Sequence, residues 1–349
     1  MNKTLDAASP SPLQDGYFWP AEWEAHRRTW MCWPARMECF GGADGTLRAK
    51  QAYARVARAI SAFEPVTLAA RPHEAAEARL ATGGKVEILE MALDDSWARD
   101  FGPTFLKNGK GRLSGVQWSF NAWGRKYHPY TNDASFARRV LELIGAPVYA
   151  APLVCEGGAL NADGEGTVIT TEQCLLNPNR NPGRTKEQVE EILRLHVGAR
   201  KVIWLKGVFS DLETDGHIDN IACFASPGRA ILGMPAAKSH PDYAPVQEAR
   251  QALKAARDAQ GRPLEVVALP QPKKPRQSWS GRLLAMSYVN FYLANGAVVM
   301  PAFDDPNDEG ARIILAQCFP GRDIMQIDAL DIVQGGGGIH CITQQEPAV

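Results

Sequence analysis

The sequence predicts an α/β protein. Apolar runs of about four or five residues alternate with amphipathic stretches of about ten to fifteen residues over most of the chain. The short runs are typical of strands, and the longer stretches are typical of helices. Polar loops that contain glycine interrupt this alternation at similar intervals, which indicates an internally repeated architecture.

The individual elements follow from apolar spacing and from breaking residues. Helices are predicted at 46–63, 135–144, 246–260 and 309–318, and one begins at Thr185, where Thr185 and Gln188 form a capping-box pattern. Strands are predicted at 66–70, 86–89, 168–171, 202–205, 222–224, 230–232, 264–269, 297–300 and 324–327. The aromatic segment 16–34 is expected to pack in a core or an interface rather than around a pocket.

Composition excludes several classes of protein. The 349 residues carry 38 Lys and Arg against 39 Asp and Glu, a net charge of −1, so neither a nucleic-acid partner nor a membrane surface is expected. Residues 1–14 are expected to be a disordered tail without the apolar core of a signal peptide, and residues 15–349 a single catalytic domain. Seven cysteines without paired spacing predict no disulfide framework, and therefore a cytoplasmic protein.

Five loops carry the polar residues that could perform chemistry. They contain Asp100, Glu156, His217, Asn290 and Cys341, which are separated by about 56, 61, 73 and 51 residues. Residue identity between the segments is slight, so the repeat is predicted at the level of structure.

The last of these loops contains four consecutive glycines, residues 335–338, shortly before Cys341. Glycine reaches positive φ without steric cost, so the run lets the backbone approach a small molecule closely, and we place Gly338 among the substrate-binding positions. A thiol held by such a loop is a candidate nucleophile. The alternative is a C-terminal turn with an incidental apolar cysteine.

If the loops converge, they bring together the Cys341 thiol, the His217 imidazole and the carboxylates of Asp100, Glu156 and Asp219. A Cys–His pair supports covalent catalysis, and carboxylates bind a planar guanidinium through paired hydrogen bonds. Cys341 would attack the guanidinium carbon, and His217 would protonate the departing nitrogen and then activate water, which leaves a ureido product and ammonia. Because the carboxylates raise the thiol pKa, the thiolate would depend on the substrate cation or on protonated His217.

Each of these residues also has a structural interpretation. Asp100 could pair with Arg99, Glu156 and Asp219 could cap or solvate turns, and His217 could be a structural histidine in a polar loop. Trp97 could stack on a flat cation or belong to the core. The remaining residues of interest are assigned to structure: His26, His196, Cys174, Cys223 and Cys318.

Other kinds of site are weaker alternatives. A metal could use His217, Asp219, His340 and Cys341, although zinc sites usually show a second close-spaced pair of ligands. A phosphate could sit on the glycine run, but neither the Lys-Ser/Thr pair nor the strand–loop–helix pattern of such sites is present. A non-catalytic binder of a polyamine or an arginine-like cation would use the same carboxylates.

Four motifs occur in order along the chain: WARDFGP at 97–103, EGG at 156–158, TDGHIDN at 214–220 and GGGGIHCITQQ at 335–345. With segments 19–23 and 30–34, they resemble the agmatine deiminase family of guanidine-modifying, peptidylarginine deiminase-like enzymes. The resemblance extends over nearly the whole chain.

The resemblance implies a five-bladed, pseudo-symmetric α/β propeller of ββαβ repeats around a central channel, the pentein fold. It implies hydrolysis of agmatine to N-carbamoylputrescine and ammonia in putrescine biosynthesis, no metal or organic cofactor, and a homodimer. The implied roles are nucleophile for Cys341, acid/base for His217, guanidinium carboxylates for Asp100 and Asp219, a further active-site acid for Glu156 and a pocket wall for Trp97.

Substrate choice is left open by the residues themselves. Enzymes that take free arginine must pair its carboxylate, usually with an arginine, and the sequence does not place Arg125 or Arg180 relative to the pocket. Related bacterial enzymes act on peptidyl arginine, and the secreted ones carry export signals. Agmatine is therefore favoured by resemblance, with peptidyl or free arginine as the alternatives.

Overall fold

The protein is described by a computed structural model over residues 11–235 and 237–349, and this part is a mixed α/β structure. Of the tail predicted at 1–14, residues 1–10 lie outside the described residues. Residues 11–14 form a turn in which the Gln14 N–H donates to the Ser11 carbonyl at 3.0 Å. No helix in the described ranges is both long and apolar enough to cross a bilayer.

The strands of the described ranges are β1 (Tyr17–Phe18), β2 (His26–Cys32), β3 (Val66–Ala70), β4 (Glu87–Glu90), β5 (Thr104–Asn108), β6 (Leu113–Ser119), β7 (Val148–Val154), β8 (Asn161–Ala162), β9 (Thr167–Thr171), β10 (Lys201–Leu205), β11 (Ala222–Ser226), β12 (Arg229–Met234), β13 (Glu265–Pro270), β14 (Tyr292–Ala294), β15 (Ala297–Ala302), β16 (Asp323–Asp328) and β17 (Thr343–Pro347). The helices are α1 (Ala43–Ile60), α2 (Ala75–Ala81), α3 (Ala98–Phe101), α4 (Ala122–Arg125), α5 (Thr131–Ala134), α6 (Phe136–Leu143), α7 (Glu172–Leu175), α8 (Lys186–Val197), α9 (Tyr243–Ala255), α10 (Asp308–Cys318) and α11 (Leu330–Val333). Short 3-10 turns lie at Met37–Phe40, Pro72–Glu74, Gly157–Ala159 and Ile218–Asn220.

These strands form five sheets, in the orders β1-β5-β6-β7, β10-β9-β8, β11-β12-β13, β14-β15-β16 and β17-β2-β3-β4. Each sheet contains an antiparallel pair whose second strand also pairs in parallel with a later strand. A helix or a set of short helices connects each parallel pair, as a parallel crossover requires. In four sheets the antiparallel pair is consecutive in sequence, whereas in the fifth the C-terminal strand β17 pairs with β2 near the N-terminus.

The predicted loop repeat coincides with this topology. Asp100, Glu156, His217, Asn290 and Cys341 each precede the first strand of the antiparallel pair in a different sheet, namely β5, β8, β11, β14 and β17. Each sheet therefore delivers one of the five loops at an equivalent position.

The largest apolar core joins the sheet of β2 and β3 to that of β14 and β15 through α1. In α1, Tyr53, Val56 and Ile60 recur at helical spacing and are fully buried. Burying such a side chain contributes about 1.5–3 kcal/mol. Trp19, Trp30 and Trp33 of the aromatic segment are also core residues, and none of the aromatic side chains at 17–33 lines the cavity described below.

The predicted helices and strands are present with small shifts at their ends. The strand at 66–70 has the predicted bounds, and helix α8 begins with the predicted capping box between Thr185 and Gln188. The apolar patterns did not indicate strands β1, β2, β5, β6, β7, β8, β14 and β17 or helices α2, α3, α4, α5, α7 and α11.

Candidate active site

The sulfur of Cys341 lies where the five loops meet. Cys341 is 2% exposed, and its Sγ is 3.4 Å from Oδ2 of Asp219 and 3.2 Å from Nδ2 of Asn290. The backbone N–H of Gly338 also lowers the pKa of the thiol. The thiol therefore has polar neighbours in two other loops as well as in its own.

A cleft leads to this sulfur. It holds about 290 Å³ of space, part of it open to solvent, and Cys341 and Asp100 are among its lining residues. Its walls are the aromatic rings of Trp97, Trp123 and Tyr127 and the glycines 335–337. Trp97 is 4% exposed and belongs to the core, which confirms one of its two predicted alternatives. It also lines the cleft, and its stacking on a flat cation stays a prediction. Gly338 lies against the Asn290 side chain near Sγ of Cys341, and it is not among the residues that line the cleft.

Three polar side chains converge on Gly158. A methyl group at this position would lie 2.7 Å from Nδ1 of His217 and 2.8 Å from both Oδ1 of Asp100 and Oδ2 of Asp219. Such distances are too short for any side chain, so glycine is required for the approach of these groups. The EGG motif thus brings the backbone of the second loop between an imidazole and two carboxylates.

Asp100 is held by two donors. Its Oδ1 accepts from the Gly158 N–H at 3.0 Å, and its Oδ2 accepts from the Trp123 indole N–H at 2.8 Å. Trp123 belongs to α4, where all four residues have positive φ. This conformation costs about 1–3 kcal/mol for each non-glycine residue and is typical of functional sites.

Arg99 pairs elsewhere. Its Nη1 lies 3.5 Å from Oε1 of Glu22, so the proposed Asp100–Arg99 ion pair is not found in the structure. The Glu22 carboxylate also contacts Nε2 of His340 at 3.0 Å, and Nδ1 of His340 is 3.0 Å from Oδ2 of Asp219. The chain Glu22–His340–Asp219 fixes the second carboxylate next to the thiol.

Glu156 lies behind His217 and does not line the cleft. Its Oε2 is 3.4 Å from Nε2 of His217, and its Oε1 accepts from Nε of Arg180 at 2.7 Å. Arg180 pairs in addition with Asp215 at 2.7 Å and has no side-chain exposure. Glu156 is therefore placed to orient His217, and Arg180 is occupied by protein carboxylates.

Two buried polar atoms face the centre of this group without a partner. Within the described residues, neither Oδ1 of Asp219 nor Nδ1 of His217 has a hydrogen-bond partner. A buried polar atom without a partner costs about 1–3 kcal/mol. A bound cation that donates hydrogen bonds would satisfy the carboxylate oxygen.

Burial and neighbouring charges shift the pKa values of the site residues. Burial, Asp219 and Asp100 raise the pKa of Cys341 well above its usual value. Burial opposes protonation of His217, but Asp100 and the contacts with Cys174 and Glu156 outweigh it and raise its pKa well above the usual range. Burial raises the pKa of Asp100 to about 6, with Asp219 and Glu156 adding to the rise. These directions favour a neutral Cys341 thiol and a protonated His217 in the absence of substrate.

The metal alternative involves a different group from the one that the sequence indicated. Glu156, Cys174 and His217 place one possible ligand atom each within 4.8 Å of one another, and only His217 belongs to both sets. These residues fit a metal poorly, because Nε of Arg180 lies 2.7 Å from Oε1 of Glu156 and its positive charge would repel a metal cation there. Cys174 is buried as predicted, but it also contacts Oε2 of Glu156 at 3.7 Å.

The structure thus brings Asp100, His217, Asp219 and Cys341 together, with Glu156 beside His217 and Trp97 in the wall. Sequence reasoning did not identify Trp123, Glu213 or Arg180 as neighbours of these groups. Asn290 was noted only for its place in the loop spacing. The even spacing was the one sequence signal that could have suggested a role for it.

Comparisons with known proteins agree with this arrangement. The model of the Porphyromonas-type peptidyl-arginine deiminase family matches residues 18–347. A putative agmatine deiminase of Legionella pneumophila (strain Paris) is 46% identical over 340 residues, 97% of each chain. The agmatine deiminase of Stutzerimonas stutzeri (strain A1501) is 43% identical over 367 residues, 99% of each chain.

A solved structure of the agmatine deiminase of Enterococcus faecalis superposes with a TM-score of 0.94 at 35% identity and covers 98% of each chain. Identity at this level over the full length, together with the match of the family model, decides the classification. This chain belongs to the Porphyromonas-type peptidyl-arginine deiminase family.

Proposed function

We propose that this protein is an agmatine deiminase, which hydrolyses agmatine to N-carbamoylputrescine and ammonia. The observation that carries the proposal is the convergence of Asp100, His217, Asp219 and Cys341 at the end of one cleft. Relatives named agmatine deiminase, similar over the full length, support the same substrate.

The guanidinium of the substrate would lie over Cys341, with its N–H groups on Asp100 and Asp219. The unpartnered Oδ1 of Asp219 supports this pose, because a guanidinium supplies the missing donor. The cation lowers the pKa of the thiol, whose proton leaves to water. The thiolate then adds to the guanidinium carbon to form a C–S bond and a tetrahedral adduct.

His217 would act first as an acid and then as a base. The imidazolium gives its proton to one NH₂ group, the C–N bond breaks, and ammonia leaves an S-linked amidino intermediate. Neutral His217 then takes a proton from water, which adds to the same carbon. Collapse of this second adduct breaks the C–S bond and releases the hydroxyl proton to solvent, which forms the carbonyl of the ureido product. The thiolate then regains a proton from solvent.

The other end of the cleft supports a substrate with a second positive charge. Asp100 and Glu213 are the charged lining residues, and none of the described lining residues is Lys or Arg. Glu213 also bonds to the Tyr127 hydroxyl and pairs with half-exposed Arg282. A terminal ammonium fits this carboxylate, whereas Arg180, which could have paired a substrate carboxylate, is occupied by Glu156 and Asp215.

The five sheets are proposed to form the blades of a pseudo-symmetric propeller within a single domain over residues 15–349. The shared ββαβ order supports this arrangement, and so does the pairing of β17 with β2, which joins the last repeat to the first. A homodimer, a cytoplasmic location and a role in putrescine biosynthesis stay predictions.

A substrate panel tests the proposed function. Purified protein is incubated with agmatine, free arginine and a peptide with a C-terminal arginine, and ammonia and ureido products are measured. We expect release from agmatine, none from Cys341→Ala, and wild-type rates from the matched control Cys318→Ala, whose cysteine ends α10. Preferred turnover of either arginine substrate would contradict the assignment, and activity of Cys341→Ala would contradict the mechanism.

A further inference from the structure

Five residues occupy equivalent loop positions, one before each sheet's antiparallel pair. Among them, Asn290 has not yet been given a role. It precedes β14 as Cys341 precedes β17, and it is 1% exposed. Its side-chain Nδ2 lies 3.2 Å from Sγ of Cys341. A buried amide that points at a nucleophilic sulfur is a group that the mechanism above does not use.

The orientation of this amide is fixed by its other contacts. Its Oδ1 accepts from the His340 backbone N–H at 2.9 Å, and its Nδ2 also donates to Oδ1 of Asn220 at 3.0 Å. Exchange of the oxygen and the nitrogen would break both bonds, so Nδ2 is the amide atom nearer to the sulfur, and Oδ1 lies 3.6 Å from it.

The glycine run 335–338 leaves room for the Asn290 side chain at Gly338. A methyl group on Gly338 would lie 2.4 Å from Oδ1 of Asn290, so glycine at 338 is required for the approach of the amide. The backbone N–H of Gly338 favours ionisation of the same thiol and lowers its pKa. Two neutral N–H groups thus support the thiolate, one in its own loop and one in the loop of a different sheet.

We propose that Asn290 is a catalytic residue, whose amide donates a hydrogen bond to the thiolate of Cys341 and stabilises it before attack on the guanidinium carbon. The proposal rests on the proposed function, since it names a further group of the same site. A hydrogen bond from a neutral donor to a thiolate is charge-assisted and stronger than one to a thiol, so it favours the ionised sulfur.

The surroundings of the sulfur explain why such a donor is needed. Oδ2 of Asp219 lies 3.4 Å from it, and the negative charges of Asp219 and Asp100 oppose its ionisation. The nearby cations are the imidazoles of His217 and His340, which contact these same carboxylates. The donors at Asn290 and Gly338 lower the pKa of the thiol against burial and the two carboxylates, and they do so without titrating themselves.

A structural role is the competing interpretation, because Asn290 also bonds to the His340 backbone. The two roles differ in what Asn290→Leu does. The leucine is neutral and similar in size, so it removes the donor to the sulfur without placing a new charge beside it. A structural role predicts a lower unfolding temperature with unchanged ionisation of the thiol, and a catalytic role predicts a less acidic thiol.

The test measures the ionisation of Cys341 without substrate. The rate of alkylation by iodoacetamide is followed against pH in wild type, Asn290→Ala and Asn290→Leu, and peptide mass spectrometry reports the modification of Cys341 alone. Asn295→Ala is the matched control, because Asn295 lies in the same segment and bonds only to the backbone of His26 through its side chain. Circular dichroism and thermal unfolding check that each variant is folded.

We expect the midpoint of alkylation to rise by about one pH unit or more in both Asn290 variants, with alkylation at a fixed lower pH about tenfold slower. The control should match the wild type. If Asn290→Ala does not fold, Asn290→Leu, which is neutral and similar in size, decides the question. An unchanged midpoint in a folded Asn290 variant would overturn the proposal.

The outcome is separable from that of the proposed function, because the alkylation assay contains no agmatine. A shifted midpoint in a protein that does not hydrolyse agmatine would support the N–H···S contact and contradict the proposed substrate. Turnover of agmatine with an unshifted midpoint would support the proposed function and contradict the role of Asn290.

Discussion

Oδ2 of Asp219 lies 3.4 Å from Sγ of Cys341. The same oxygen is 3.0 Å from Nδ1 of His340, which keeps the carboxylate in place. A carboxylate beside a nucleophile opposes formation of the thiolate, and burial together with Asp219 raises the pKa of Cys341 well above its usual value. The thiol is therefore expected to become reactive only when a cation occupies the site.

Reaction with two small alkylating agents tests this dependence on a cation. We expect 2-chloroacetamidine, which is cationic, to modify Cys341 more than tenfold faster than neutral 2-chloroacetamide at pH 7.5, because one close charge pair contributes about 4 kcal/mol at an effective dielectric constant of 20. Asp219→Asn should reduce the ratio, since it removes one of the carboxylates that attract the cation. Equal rates for the two reagents in wild type would contradict the account.

Asp100→Asn should separate activity from stability. It removes a carboxylate that positions the guanidinium, so kcat/KM for agmatine should fall by at least ~100-fold. The folded pKa of Asp100 is about 6 against a usual 3.8, so ionisation of this group costs stability as pH rises from 3.8 through 6. At pH 7.5 the variant should consequently unfold at a temperature no lower than the wild type, and normal specific activity with a lowered Tm would favour a structural role.

Substitution of Trp123 should change the pH dependence of kcat/KM for agmatine. Its indole N–H donates to Oδ2 of Asp100 at 2.8 Å and favours the ionised carboxylate. The acid limb of kcat/KM should lie near pH 6 in wild type, and Trp123→Phe should move it upward by up to about one unit because the donor is lost. A downward shift, or none, would argue that Asp100 does not control this limb.

Glu213→Gln tests the proposed ammonium end of the cleft. The substitution keeps the shape but removes the charge that would pair with the amine of agmatine. We expect KM for agmatine to rise about tenfold with a smaller change in kcat, because the contact is distant from the reacting carbon. Glu309→Gln, on the surface of α10, is the matched control. An unchanged KM would place the amine elsewhere.

Gly158→Ala tests the convergence of the three polar side chains. A methyl group there would collide with His217, Asp100 and Asp219, so we expect activity to be lost. Gly109→Ala is the control, because nothing lies within 4 Å of the added atom. Full activity of Gly158→Ala would show that these groups do not act from the positions described.

Sequence patterns predicted the elements whose apolar residues are regularly spaced. They did not predict buried strands that consist mainly of polar residues. Helix α1 and strand β3 follow from spacing alone. Strand β17 reads TQQEP, yet all five residues are buried, because it pairs with β2 and Glu346 accepts from the Trp30 indole. Only that tertiary pairing makes the segment a strand.

The site was predictable as a set of loops and not as a set of contacts. Sequence spacing indicated which residues converge, including Cys341 and His217, since equivalent positions of a repeat meet in space. It could not show that Glu156 faces Arg180, or that a strained turn aims Trp123 at Asp100. Those contacts depend on side-chain directions that are set by the packing between different sheets.

The most direct test of the central claim is the chemical state of Cys341 during turnover. Wild-type protein is mixed with excess agmatine, quenched with acid on the millisecond timescale, and digested for peptide mass spectrometry. The account predicts that the peptide containing Cys341 carries agmatine less one ammonia. Turnover with no adduct on Cys341, or with the adduct on Cys39, the other thiol of the cleft, would contradict it.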